Sequence, residues 1–139
     1  REKKLIAFSQ RSSHRISIYD LSKKTILNAK YDCMFPSWSP DNTSLVMNCD
    51  NVMTVFVLQS DLRSQPIPLT KVPPSSLGYR SQEGMKWSPD GKWIAYFEYA
   101  QLSSNRGVTS LRILDTSCLL EISTCVRSSK MLLNNIFGA

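Results

Sequence analysis

Short apolar segments alternate with polar, turn-forming clusters along most of the chain. Polar clusters at residues 10–14, 60–64 and 102–107 separate segments in which apolar and polar side chains alternate. No segment within residues 1–125 has a convincing helical period. Strands at this regular spacing predict an all-β fold.

One segment of this pattern is repeated. Trp38-Ser39-Pro40-Asp41 recurs as Trp87-Ser88-Pro89-Asp90, 49 residues later, and each copy precedes a predicted strand, at 44–49 and 92–99. Lys4-Leu5-Ile6-Ala7-Phe8 matches residues 92–96 almost residue for residue, so it is a third copy without the opening segment. Proline followed by Asp-Asn or Asp-Gly is a turn-forming sequence, which predicts that each motif joins two strands.

Two further strands are predicted in each copy. The third strands lie at 15–21, 52–59 and 109–115, and the fourth, less regular strands lie at 24–29, 65–70 and 119–123. A four-stranded unit that repeats every 40 to 50 residues is typical of a β-propeller blade.

The repeat therefore predicts an all-β fold with about three four-stranded antiparallel blades. Their bounds are about 1–31, 32–72 and 73–125. Closed propellers have at least about four blades, so we expect an incomplete ring in these 139 residues. Residues 126–139 read as a C-terminal extension or a truncated next strand. A strand added to a neighbouring blade, a tail that docks on a partner, or a short helix also fits this segment.

The repeated segments resemble the WD40-like propeller repeats of the TolB type. Residues 36–41 and 87–96 are similar to the opening of these blades, and residues 5–8 and 18–20 to later pieces. The sequence departs from the family at 42–43, where Gly-Lys is preferred, and at 58–59, where an Asp is absent. Blades of this type occur in periplasmic TolB-like proteins, in envelope lipoproteins and in the propeller domains of prolyl-oligopeptidase-like enzymes. The resemblance therefore implies a scaffold or binding surface and not a particular reaction.

The positive charge is concentrated near the N-terminus. The net charge is +6, and residues 1–30 alone hold eight basic and two acidic side chains. A solvated face or a charge-protected sheet edge is the favoured interpretation, and an acidic partner surface is the alternative. Because exposed aromatic side chains do not accompany this charge, we expect no nucleic acid. The candidate cations for a partner surface are Lys3, Lys4, Lys23 and Lys24.

The four cysteines predict two local disulfides. Cys33 and Cys49 flank the first hairpin almost symmetrically, within reach of each other on adjacent antiparallel strands. Cys118 and Cys125 can pair only where the chain between them bends, because a straight strand would hold them too far apart. Four buried thiols are the alternative, and the spacing does not favour zinc. Disulfides would place the protein in an oxidising compartment.

Sequence motifs for catalysis are absent from these 139 residues. There is no Gly-x-Ser-x-Gly elbow, phosphate-binding glycine loop or His-Glu-x-x-His pattern, and we expect no enzyme activity, cofactor or metal site. His14 reads as a solvated turn residue, and Asp41 and Asp90 read as turn formers. Glu98 and Glu121 are predicted at exposed positions of strands.

Aromatic residues cluster in the strand that follows the second motif. Alternation places Tyr96 toward the core and Trp93, Phe97 and Tyr99 on the opposite face. That face either packs against a neighbouring blade or forms an exposed binding patch.

These observations leave three functions open. The favoured one is a non-catalytic, extracytoplasmic protein-binding or assembly subunit of a larger envelope complex. It has no transmembrane segment, because no apolar run approaches the roughly 20 residues that a spanning helix needs, and it would reach the membrane through the complex. The alternatives are the propeller of a prolyl-oligopeptidase-like serine hydrolase and a binder of anionic polymers through the N-terminal cations.

Overall fold

The computed structural model describes residues 4–10, 12–49, 54–59, 66–70 and 80–136. Most of its described residues lie in β-strands, as the alternation predicted. The strands are β1 (Leu5–Gln10), β2 (Arg15–Asp20), β3 (Thr25–Trp38), β4 (Ser44–Cys49), β5 (Thr54–Gln59), β6 (Ile67–Pro68), β7 (Arg80–Trp87), β8 (Trp93–Ser103), β9 (Arg106–Asp115) and β10 (Ser129–Leu133). Two 3-10 helices (Thr116–Leu120 and Ile122–Thr124) and a single α-helical turn, α1 (Cys125–Ser128), separate β9 from β10.

The strands form two antiparallel sheets. The N-terminal sheet contains β1 to β6 in sequence order, and the C-terminal sheet has the order β10-β9-β8-β7. The long strand β3 pairs with β2 through its first residues and with β4 through its last, with a register shift in each ladder. It therefore combines the predicted fourth strand at 24–29 with the opening strand that leads to the first Trp-Ser-Pro-Asp motif.

The predicted fourth strand at 119–123 is wrong. These residues belong to the helical segment, and the fourth strand of the C-terminal sheet is β10, in which Ser129 lies opposite Leu114. The cause is the disulfide between Cys118 and Cys125, whose Cα atoms are 4.9 Å apart. An extended strand would separate two residues seven positions apart by about 23 Å. The C-terminal segment thus completes this sheet in place of a short helix.

Two apolar cores lie on opposite faces of β4. Leu45 and Met47 pack with Ile16 and Ile18 of β2, whereas Val46 packs with the C-terminal sheet. This alternation follows from the two-residue period of a strand. Because β4 is covered on both sides, its backbone is buried between two layers of strands. In the second core, the remaining buried side chains are Leu69, Met85, Ile94, Tyr96, Leu114, Cys118 and Cys125.

Among the helices that the structure describes, none has the length and apolar character needed to cross a membrane.

Candidate functional site

The first Trp-Ser-Pro-Asp motif forms a closed turn between β3 and β4. The backbone N–H of Asn42 donates to the carbonyl of Ser39 at 2.9 Å, and Asn42 has a φ of 57°. Asp41 Oδ1 accepts hydrogen bonds from Ser39 Oγ (2.6 Å) and from the N–H of Thr43 (3.1 Å). Ser39 Oγ in turn accepts from the N–H of Ser44 at 3.0 Å. The hydrogen bonds that the Asp41 carboxylate accepts, first from Ser39 and then from Thr43, lower the pKa of Asp41.

The second motif repeats these bonds between β7 and β8. Asp90 Oδ1 accepts from Ser88 Oγ at 2.6 Å and from the N–H of Lys92 at 3.0 Å, and Ser88 Oγ accepts from the N–H of Trp93 at 2.9 Å. Gly91 occupies the left-handed position that Asn42 occupies in the first turn, with a φ of 72°. Glycine and asparagine are the residues that adopt this conformation most readily. Asn42 therefore keeps the first turn intact, although the resembled family has Gly at this position. The bond from Ser88 is the main cause of a lowered pKa at Asp90.

A cleft of about 340 Å³ lies between the two turns. Its lining includes both turn carboxylates, Asp41 and Asp90, together with Trp87 and Thr116. Thr116 Oγ1 donates to the carbonyl of Gly91 at 2.6 Å, which holds the start of the helical segment against the second turn. The volume is at the lower end of the range for small-molecule sites. Both carboxylates accept hydrogen bonds within their own turns, and these bonds hold the backbone of each turn.

The described residues contain no group of three or more His, Cys, Asp or Glu side chains arranged to hold a metal ion. His14, an exposed residue with a φ of 50°, lies in the turn between β1 and β2.

The two motif tryptophans differ in one hydrogen bond. Trp87 Nε1 donates to the carbonyl of Ser37 at 3.1 Å, which joins the opening strand of the C-terminal sheet to the opening strand of the preceding unit. The Nε1 of Trp38 is buried and has no hydrogen-bond acceptor among the residues that the structure describes. The two residues occupy the same place in the repeat, but the described part of the chain provides an acceptor only for Trp87.

A polar ladder crosses the face of the C-terminal sheet that packs on the N-terminal sheet. Thr70 Oγ1 donates to Gln82 Oε1 at 2.6 Å, and Gln82 Nε2 donates to Glu98 Oε2 at 2.9 Å. Glu98 Oε1 lies 3.7 Å from Arg112 Nη1, and the Glu98 side chain is only 15% exposed. The prediction of an exposed Glu98 is therefore wrong, because this strand position faces the packed layer. Glu121 lies between the two 3-10 helices and not in a strand.

The ladder continues to β10. Arg112 Nε donates to Ser129 Oγ at 3.0 Å, and the Tyr96 hydroxyl lies 2.5 Å from the same oxygen. Burial raises the pKa of Tyr96. These bonds attach the C-terminal strand to the middle of the sheet through side chains as well as through the backbone.

Both local disulfides are present. Cys33 and Cys49 lie directly opposite each other on β3 and β4, and Cys118 and Cys125 close the helical segment. All four side chains lie in the apolar cores. The described residues hold no free cysteine.

The residues predicted as a partner surface lie in two separate places. Lys4, Lys23 and Lys24 are exposed on the N-terminal sheet, where the N–H of Leu21, at the start of the turn that carries Lys23 and Lys24, donates to the carbonyl of Lys4. Lys3 lies outside the described residues. The predicted aromatic residues Trp93, Phe97 and Tyr99 lie on β8 of the C-terminal sheet, facing away from Tyr96. Trp93 is exposed, and Phe97 and Tyr99 are half-buried.

Apolar side chains are exposed at the first strand of the array. Ile6 and Phe8 of β1 are 48% and 37% exposed, whereas their repeat equivalents on β8, Ile94 and Tyr96, are 0% and 1% exposed. The equivalents are buried because the N-terminal sheet covers them. The outer face of β1 has the same kind of side chains without a described layer over it.

Phe35 is a second exposed apolar residue that the sequence reading missed. It is 43% exposed and has a φ of 57° at the register shift between β3 and β4. Gly84, 49 residues later, occupies the equivalent register shift with a φ of 66°. A glycine aligned with a phenylalanine was the available signal, because a left-handed residue with a large side chain is strained.

Comparison with known proteins supports the fold. The chain matches no protein-family model and no curated protein. Its structure is similar to part of a chain in the crystal structure of the tricorn protease, with a TM-score of 0.57, 10% identity, and coverage of 84% of this chain and 11% of that one. It is also similar to a chain in the crystal structure of a nidogen/laminin complex, with a TM-score of 0.51, 12% identity, and coverage of 99% and 51%.

The chain thus spans about half, or far less, of the solved chains it resembles. At these identities the likeness is one of fold. The protein has a β-propeller-like, all-β fold built from two antiparallel sheets.

Proposed function

We propose that this chain is a non-catalytic part of a TolB-type β-propeller that binds other proteins in an envelope complex. In this proposal it contributes about three blades of an incomplete ring and acts outside the cytoplasm. Its partners are other protein subunits, through which it associates with the membrane.

The observation that carries the proposal is the exposure of β1. Ile6 and Phe8 belong to a strand type whose equivalent side chains are fully covered elsewhere in the same chain. Full burial of such a side chain contributes about 1.5 to 3 kcal/mol, and covering the part that is still exposed would add roughly half of that, so a surface of this kind favours association. At the other end, Trp93 and Leu132 of the C-terminal sheet are also exposed, at 36% and 53%. Both end faces therefore support contact with further protein.

The two disulfides support the location. Cytosolic proteins keep their thiols reduced, and both disulfides here lie in cores where they stabilise the fold. They are compatible with an oxidising, extracytoplasmic compartment.

The native mass of the particle tests the proposal. We expect the chain, purified from its natural source under native conditions, to elute in a particle well above its own 15.8 kDa. Phe8→Lys, which places a charge on the exposed face of β1, should release the chain from the particle. The matched control is Gln10→Lys, a change on the same face where the native side chain is polar. An isolated wild-type monomer would contradict the proposal.

A second candidate is the propeller of a prolyl-oligopeptidase-like hydrolase. The observation that favours it is the likeness to a short part of a protease chain. The sequence of the full gene separates the two candidates, because a hydrolase requires a Gly-x-Ser-x-Gly segment downstream of this chain. Its presence would overturn the non-catalytic proposal.

A further inference from the structure

The cleft between the two Trp-Ser-Pro-Asp turns is negatively charged. Asp41 lines it from the first turn and Asp90 from the second, and no basic side chain is among the lining residues that the structure describes. Hydrogen bonds within each turn, led by that from the serine two positions earlier, lower the pKa of both carboxyl groups, which are therefore ionised at neutral pH. Lys92, two positions after Asp90, is a nearby cation that lies outside this lining. The chain has a net charge of +6, so the negative charge is local to the cleft.

Three hydroxyl groups of the lining are engaged as hydrogen-bond donors. Ser39 Oγ and Thr43 Oγ1 donate to Asp41 Oδ1 at 2.6 Å and 2.8 Å. Thr116 Oγ1 donates to the carbonyl of Gly91 at 2.6 Å. Because each of these protons is already used, a ligand in the cleft meets the oxygen lone pairs of these groups and not their protons.

Each carboxylate of the cleft has one oxygen outside the bonds of its turn. Asp41 accepts hydrogen bonds on Oδ1, and Asp90 accepts from Ser88 Oγ and from the N–H of Lys92 also on Oδ1. Within the described ranges, no hydrogen bond ends on Oδ2 of either carboxylate. A carboxylate oxygen has lone pairs for about two donors. The cleft therefore offers acceptors and negative charge, which match a cation that carries several donors.

Trp87 gives the cleft an aromatic wall. Its Nε1 donates to a backbone carbonyl of the preceding unit at 3.1 Å, which holds the half-buried ring in place. Pro40 and Leu119 add apolar surface, and Leu119 belongs to the helical segment that the disulfide between Cys118 and Cys125 closes. Guanidinium and ammonium groups pack on aromatic rings and donate hydrogen bonds to carboxylates, so they fit both kinds of wall.

We propose that this cleft binds the guanidinium or ammonium group of an organic cation. The group donates hydrogen bonds to Oδ2 of Asp41 and of Asp90, and its alkyl stem packs on the ring of Trp87. The carrier is either an arginine or lysine side chain of another protein or a free polyamine, and the experiment separates these two sources. The inference goes beyond the proposed function, because its residues are not those of the exposed end faces.

A titration with two cations tests the site. The full chain labelled with nitrogen-15 is titrated to millimolar concentrations with the acetylated and amidated tripeptide glycine-arginine-glycine, and separately with spermidine. We expect a saturable shift of the indole N–H signal of Trp87, while the signal of Trp38, which does not line the cleft, stays in place. The same tripeptide with citrulline, a neutral side chain of nearly the same shape, is the control and should leave the Trp87 signal unchanged.

Variants that remove one charge locate the binding site. Asp41→Ser and Asp90→Ser keep a side-chain oxygen that accepts hydrogen bonds within a turn. We expect each to weaken binding of the arginine peptide by about two- to fivefold, as the loss of one exposed ion pair predicts. Asp20→Ser is the matched control, because Asp20 Oδ1 also accepts backbone N–H bonds, from Ser22 and Lys23, in a turn outside the cleft. Far-ultraviolet circular dichroism shows whether each variant is folded.

The outcomes separate this inference from the proposed function. A Trp87 signal that neither cation moves overturns it, and so does equal binding of the citrulline and arginine peptides. Equal binding of the arginine peptide by the wild type and both cleft variants also overturns it. If the cations bind as expected, the tighter one identifies the source, the tripeptide for a protein side chain and spermidine for a free polyamine. The native particle is measured independently, so either proposal can fail while the other stands.

Discussion

The unequal hydrogen bonding of the two motif tryptophans predicts unequal effects of the same substitution. Trp87→Phe and Trp38→Phe each remove an indole N–H from a half-buried side chain at the same place in the repeat. In Trp87 that N–H is bonded to the carbonyl of Ser37, whereas in Trp38 it is buried and unbonded. We expect Trp87→Phe to be the more destabilising change.

The magnitude follows from the fate of each N–H. Trp87→Phe loses a hydrogen bond, which contributes about 0.5 to 1.5 kcal/mol to the free energy of unfolding. Trp38→Phe removes an unsatisfied buried donor and regains about 1 to 3 kcal/mol of desolvation penalty. The loss of ring volume is similar in both and cancels in the comparison. The variants should differ by about 2 kcal/mol, with Trp38→Phe the more stable.

Urea unfolding followed by circular dichroism measures this difference. With a slope of about 2 kcal/mol per molar, 2 kcal/mol separates the two midpoints by about 1 M urea. Trp93→Phe is the control for a change of ring size at an exposed site, because Trp93 is 36% exposed. Coincident midpoints for the Trp87 and Trp38 variants, or a lower midpoint for Trp38→Phe, would refute the reasoning.

Three further predictions concern stability. Replacing Cys33 and Cys49 by Ala should lower the free energy of unfolding by about 3 kcal/mol. Replacing Cys118 and Cys125 should lower it by slightly less, because this disulfide closes a loop of 7 residues and the first closes one of 16. Urea midpoints measure both, and the reverse order would contradict the loop-entropy argument. Gly84→Ala should destabilise by about 1 to 2 kcal/mol because its φ is positive, while Phe35→Gly at the equivalent position should leave stability equal or higher. Because the pKa of Asp41 is lower in the folded state, its carboxylate stabilises the fold at pH values above the unfolded pKa of 3.8, and this contribution is lost as the pH falls below that value. Asp41→Asn should therefore lose less thermal stability than the wild type between about pH 5 and pH 3. Parallel curves of melting temperature against pH for the two proteins would contradict the assignment.

The cysteines and turns illustrate what local sequence can predict. Asp41 and Asp90 each follow a proline and precede a residue that tolerates positive φ, so the turn is specified within a few positions. Cys33 and Cys49 are symmetric about that turn, and antiparallel pairing then brings them together. These features depend on short-range geometry, which the order of residue types carries.

The C-terminal strand and Glu98 illustrate what local sequence cannot predict. The segment from Cys118 to Cys125 has the composition of a strand, and only the closed disulfide together with the docking of β10 makes it helical. Glu98 lies two positions after Tyr96, so alternation places it on the same core-facing side, and the prediction of exposure followed from its charge alone. Gln82 and Arg112, on neighbouring strands, supply the polar partners that its burial requires. Such contacts depend on how sheets pack, which the alternation of one strand does not contain.

By itself, the sequence predicted the strand class, the repeated turns and the closeness of Cys33 to Cys49, because each follows from local spacing. The bend that joins Cys118 to Cys125 was not predicted. The tertiary structure decided which faces are covered. It buries Ile94 and Tyr96 and leaves Ile6 and Phe8 exposed, although the two pairs are almost identical in sequence. It also supplies an acceptor to Trp87, whereas Trp38 has none within the described ranges. The physical reason is that burial and hydrogen bonding belong to pairs of strands, and one strand of a pair does not specify its neighbour.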